Sequence, residues 1–199
     1  MRSAWMKQNF GGLHVAQIRN PFDQWASFQV HPYFIQRMFN VALSVRAMHP
    51  RAFSRIEQFE EQAAALSRRH GERPSTFTLN RRDALALFLV IWMASALQAI
   101  AYCDYLLDVD RLSTDGVCRK AASDWFASLG GSVGFADCAT PNKPGSQPGS
   151  RALEKAVEQA AAAIRSEASC LVISSKEAVT ARLPALSAAS RRVLERALI

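Results

Sequence analysis

The run from Ala84 to Cys103, ALALFLVIWMASALQAIAYC, carries no charged residue and limits what this chain can fold into more than any other stretch. A helix of about 20 apolar residues is long enough to cross a bilayer, and it is equally the helix that a folded layer has to surround on every side. Ser95 and Gln98 interrupt its apolarity. Arg81, Arg82 and Asp83 precede it, and Asp104 and Asp108 follow where a basic cytoplasmic flank would mark a membrane segment. These features favour a buried core helix, with a membrane-associated protein anchored by residues 84–103 as the alternative.

The remainder of the chain can provide a core around such a helix. Its 199 residues are 49% hydrophobic and 21% charged, the range of one globular domain. Twenty-four basic against 17 acidic residues leave a net charge of +7, which attracts anionic partners such as nucleotides. The arginines are dispersed and accompany no DNA- or RNA-binding motif, so a nucleic-acid partner is not expected. Cys103, Cys118, Cys138 and Cys170 form no C-x-x-C pair, which removes the simplest zinc site and a small disulfide framework. Met1 to Phe10 has no apolar stretch of the secretory kind, so a reduced, cytoplasmic setting is expected.

Local signals divide the chain further. Leu13 to Ile18 predicts a short strand, followed at once by a helix that Asn20 caps and Pro21 begins, with Asp23 in its first turn. Helical spacing of Phe34, Ile35, Met38, Phe39, Ala42 and Leu43 predicts a second helix from Tyr33 to about Ala47. Arg51 to Arg69 predicts a third, with Phe53, Ile56, Phe59 and Ala63 on its apolar side. Asn80 is placed to cap the apolar helix. Tyr105 to Val109 reads as a strand and Cys118 to Leu129 as a helix ended by Gly130 and Gly131. Beyond a Pro-, Gly- and Ser-containing linker at 141–150, the Ala-rich stretches Arg151 to Ala168 and Ala185 to Leu198 predict helices.

Two blocks carry chemistry. His14 to Ser27, with the core R-N-P-x-D-x-x-x-S, resembles the 3′-phosphate-binding segment of sulfotransferases that use 3′-phosphoadenosine 5′-phosphosulfate (PAPS). Tyr102 to Ser113 resembles the later family segment in which an acidic and apolar strand leads into a Leu-Ser turn. The likeness extends over roughly Gly11 to Asp137. It implies an α/β, partial P-loop-type fold dominated by helices with a few parallel strands, spanning residues 1–140, with residues 151–199 as a dispensable helical tail. It also implies that Arg19 and Ser27 contact the 3′-phosphate of the donor, and that the family reaction is sulfuryl transfer from PAPS to an acceptor hydroxyl or amine. The residues fit that role, because a guanidinium at the carboxyl end of a strand can meet two phosphate oxygens at once.

The chain also departs from the family. Only eighteen residues precede Arg19 and they hold no glycine-rich phosphate cradle, so the 5′-phosphosulfate loop and the catalytic base are expected to be missing. A truncated enzyme would follow, or a non-catalytic remnant whose partner chain supplies the missing half or whose role is interaction only. His14, His31, His49 and His70 have no evident orienting partner and are expected to be structural or exposed. Asp104, Asp108 and Asp110 are expected on one face of a strand, where they suggest a magnesium site; caps or pairing with Arg111 is the plainer role. Arg81 and Arg82 read as a solvated helix start, and Trp5, Trp25, Trp92 and Trp125 as core or boundary aromatics.

Overall fold

The computed structural model describes residues 3–29, 32–46, 49–68, 79–135, 138, 151–167 and 176–199. The apolar run forms α6, Arg81–Tyr102, which starts where Asn80 Oδ1 accepts the Asp83 N–H at 2.8 Å. By length and composition α6 could cross a membrane, yet 78% of its most apolar window is buried inside the protein. Leu87, Leu89, Met93, Leu97 and Ile100 are fully enclosed, so most of its apolar surface is covered by protein.

Other helices wrap α6. Ahead of it come α1 (Ser3–Phe10), α2 (Pro21–Phe28), α3 (Pro32–Arg46), the short α4 (Pro50–Phe53) and α5 (Glu57–Arg68). The single helix expected over 51–69 is therefore broken, with a turn at Ser54 and Arg55. The break has a packing cause. Phe53 and Phe59 stand six residues apart, which on a continuous helix is a rotation of about 240°, so the two would face different ways. In the structure both are buried, their rings 5.4 Å apart, and Ile56 is buried between them in sequence. Glu167, itself buried, accepts the Ala52 N–H in α4 at 3.0 Å and satisfies one of the donors that the short helix leaves open.

After α6 the chain forms β2 (Tyr105–Asp108), α7 (Val109–Thr114) and α8 (Gly116–Ser128), the last two capped by the carboxylates of Asp108 and Asp115. Val109 thus starts a helix instead of ending the strand. β2 pairs in parallel with β1, Val15–Ile18, in the register Val15↔Tyr105 to Ile18↔Asp108. The protein is accordingly helix-dominated with a two-stranded parallel sheet, as expected in those coarse terms. Side-chain alternation along β2 gives the sheet two neighbours: Leu106 packs on the α6 core, while Tyr105 and Leu107 join a smaller cluster with Leu112, Ala122 and Phe126.

The helices after residue 150, expected as a dispensable tail, pack into the same core as α6. α9 (Arg151–Ser166) makes the most extensive helix contact of α6 among the described residues, and α11 (Ala188–Leu198) packs on α9. Ala156, Ala160, Ala161 and Ala163 are fully buried in the same core as Leu97. Alanine is used here because it lets two helix backbones approach closely. Between them, α10 (Lys176–Arg182) sends Arg182 to the carbonyls of Ile100 and Cys103, a cation on the open carboxyl end of α6. The 141–150 linker lies outside the described residues.

Two outcomes follow for stability. Deleting residues 151–199 should abolish the cooperative thermal transition followed by circular dichroism, because it strips the widest cover from α6. Ala160→Leu should cost about 1–3 kcal/mol by overpacking the α6–α9 contact; an unchanged melt in either variant would mean that this contact does not hold the core.

Candidate functional site

Arg19 lies in the turn between β1 and α2, and that turn is fixed from three sides. Asn20 caps α2, its Oδ1 accepting the Phe22 N–H at 2.9 Å, and Pro21 supplies the first helical position. The Asn20 N–H donates to Asp110 Oδ2 at 2.6 Å. Trp92 of α6 donates its indole N–H to the Arg19 carbonyl at 3.2 Å. Beneath the turn Ile18, Phe22 and Trp25 are buried, with Trp25 5.4 Å from Phe88 of α6. The backbone is therefore held while the Arg19 side chain reaches solvent, with no hydrogen bond or ion pair to another described residue.

The two blocks singled out in the sequence meet here. Pairing of β1 with β2 sets Ile18 beside Asp108, and α7 then brings Asp110 to the Arg19–Asn20 turn. Burial pushes the Asp110 carboxyl above its ordinary value. The Asn20 N–H opposes this, the nearby Asp108 and Asp23 add to the rise, and Arg19 opposes it. Ser113 and Thr114 both donate hydroxyls to the Asp110 carbonyl, which closes the Leu-Ser turn.

Arg19 opens into a cleft of about 910 Å³. Gln17 and Ile18 of β1, Gln24 and Phe28 of α2, and Tyr33, Phe34 and Arg37 of α3 line it, over a stripe of α6 that includes Phe88, Trp92 and Ser95. Its size is that of a small-molecule site. Ser95, which interrupts the apolar run in sequence, is exposed here. Ser27 does not line the cleft; it is exposed on α2, and its hydroxyl donates to the Asp23 carbonyl one turn back at 3.0 Å.

The carboxylates of the second block do not share one face. Asp104 pairs with Lys7 of α1 at 2.5 Å and accepts the His14 N–H at 2.8 Å. Asp108 accepts the N–H groups of Arg111 and Ser187, and Asp110 serves Asn20. Among the described residues no cluster of His, Cys, Asp and Glu could hold a metal ion. Capping and backbone pairing occupy all three, while Arg111 itself pairs with Asp115 at 3.2 Å.

A general base is not evident either. His14 Nε2 lies 2.8 Å from the Gly11 carbonyl, so that nitrogen carries the proton and donates it. His49 stands at the amino end of α4, and His31 and His70 lie outside the described residues. Burial raises the Cys118 thiol, which opposes a nucleophilic role. Arg82 reaches Gln159, at 3.4 Å. Of the tryptophans, Trp25 is buried and Trp92 is buried against the cleft, Trp125 stacks on Tyr105, and Trp5 is exposed beside Phe10. Sequence reasoning did not find Arg37 or the holding role of Asp110, because each depends on which helix the fold places beside β1.

No protein-family model, curated protein or solved structure matches this chain.

Asp110 gives a pH test with a definite sign. Its folded value lies above the unfolded one, so the folded state binds more proton, and stability is lost as pH rises from the ordinary aspartate range through the raised value. Asp110→Asn keeps an acceptor for the Asn20 N–H and removes that titration. The stability of wild type relative to Asp110→Asn, read as the difference in thermal midpoint between pH 3 and 7, should therefore fall with rising pH. A difference that is flat or rises would remove the strained carboxylate from this account.

Proposed function

We propose that this chain is related to PAPS-dependent sulfotransferases and binds a 3′-phosphorylated adenine nucleotide at the Arg19 turn. The observation that carries this reading is Arg19 itself: a strand-end guanidinium, on a backbone held by Asp110 and Trp92, with no carboxylate hydrogen-bonded to it among the described residues. A bidentate oxyanion is the natural partner of such a group. The adjoining cleft has space for a nucleotide. Arg19 thus fits the donor as principal anchor for the 3′-phosphate, whereas Ser27 lies outside the cleft and would have to leave the Asp23 carbonyl to contribute.

When bound, PAPS supplies the activated sulfuryl group that the family transfers to a hydroxyl or amine. Arg19 would hold the donor away from the reacting bond, a positioning role. Groups to neutralise the leaving phosphate and to accept the proton of the acceptor are not identified among the described residues. A second reading, nucleotide binding without catalysis and with a partner chain completing the unit, is favoured by the sheet. Among the described residues the sheet has two parallel strands of four residues, smaller than the parallel sheets usual in α/β proteins. A cytoplasmic setting accords with the free thiols of Cys118 and Cys138.

Calorimetric titration with adenosine 3′,5′-bisphosphate tests the reading. Loss of a charged bidentate contact is worth about 1.5–3 kcal/mol, so Arg19→Ala should weaken binding roughly ten- to a hundred-fold. Ser27→Ala should weaken it less. Adenosine 5′-monophosphate should bind wild type about as weakly as the bisphosphate binds Arg19→Ala, because both changes delete the same contact. Equal affinity of both nucleotides for both proteins would show that Arg19 does not read the 3′-phosphate.

A further inference from the structure

The cleft contains a second cation to which the nucleotide reading gives no role. Arg37 is exposed on α3, one turn after Tyr33, with its guanidinium carbon 5.5 Å from the centre of the Tyr33 ring. Among the described residues no carboxylate pairs with it. Its cleft neighbours are apolar to a degree unusual for solvent-facing positions: Phe34 is 43% exposed and Val41 47% exposed. Phe34 also begins a chain of rings, 5.4 Å from Phe28, which is in turn 5.3 Å from Phe88 on α6.

Unpaired guanidinium and apolar rings in one concavity select for a particular chemistry. A neutral hydrocarbon would leave Arg37 unused, and a compact inorganic anion would leave the rings wet. A molecule with both a flat apolar body and one oxyanion satisfies both, since rings stack offset or edge-on and a guanidinium takes two oxygens. We propose that the α3–α6 side of the cleft binds a small aromatic oxyanion, its ring against Phe28, Phe34 and Trp92 and its anionic group on Arg37. Trp92 is suited to this place because its indole N–H is already committed to the Arg19 carbonyl, which orients the ring at the floor of the cleft. The inference does not rest on the nucleotide reading, which uses Arg19.

The test uses the full chain, 2-naphthoate as the aromatic oxyanion, and 2-naphthalenemethanol as its neutral counterpart. Tryptophan fluorescence or calorimetry follows binding. Wild type should bind the acid about tenfold or more tightly than the alcohol, and Arg37→Ala should abolish that preference. Phe34→Ala should weaken both ligands. Arg37→Ala should remove the preference for acid over alcohol whether or not wild type binds adenosine 3′,5′-bisphosphate, so failure of the nucleotide reading and failure of this one are separate results. Absence of saturable naphthoate binding to wild type, equal affinity for acid and alcohol, or loss on Arg19→Ala with none on Arg37→Ala would each overturn the assignment.

Discussion

Enclosure of α6 is the constraint on which the rest of this structure depends. A 22-residue helix that is apolar nearly all round cannot rest on a single partner, because any face left open exposes leucine and phenylalanine to water. The chain covers it with small residues on one side, the buried alanines of α9, and with large ones on another, the phenylalanines of α2 to α5. This division explains why α9 can lie close and why the helical segment at 50–68 has to break. Where bulky rings converge from consecutive turns, a straight helix would turn some of them away from the core.

The same helix organises the candidate site. Trp92, on the α6 stripe that lines the cleft, holds the Arg19 carbonyl, and Phe88 carries the rings of Trp25 and Phe28. From the other side the short sheet brings Asp110 to the Asn20 N–H. Arg19 is thereby given a rigid backbone and an unencumbered side chain. That combination suits a charged anchor, since less freedom is lost when an anion arrives. The cost is carried by Asp110, a half-buried carboxylate with two acidic neighbours, whose ionisation the fold disfavours.

Arg19 and Arg37 give the cleft two cations from different elements, one at a strand end and one on a helix. Their surroundings differ in kind. Arg19 stands next to polar groups, Gln17, Asn20 and Gln24, whereas Arg37 stands among Tyr33, Phe34, Met38 and Val41. A ligand that used both would need a polar anionic end and an apolar anionic end, and two ligands could divide them.

Much of the local structure was legible from the residues alone, for physical reasons that act over a few positions. Asn20-Pro21 and Asn80 specify helix starts through a side-chain acceptor and a fixed φ, and both caps form. Alternation in Tyr105 to Asp108 gives a strand with two different faces, and the structure pairs it in parallel with Val15–Ile18. What the sequence by itself determined was therefore the helix-dominated class, the two strands, and the presence of one helix that needed covering. The tertiary structure alone decided what covers it. The Ala-rich helices after residue 150 look like a tail by composition, since alanine has high helix propensity anywhere, yet their small side chains are what permit close approach to α6. It also decided the surroundings of Arg19, because Asp110 and Trp92 reach the turn from 90 and 73 residues away in sequence, and no local pattern encodes a hydrogen bond across that distance.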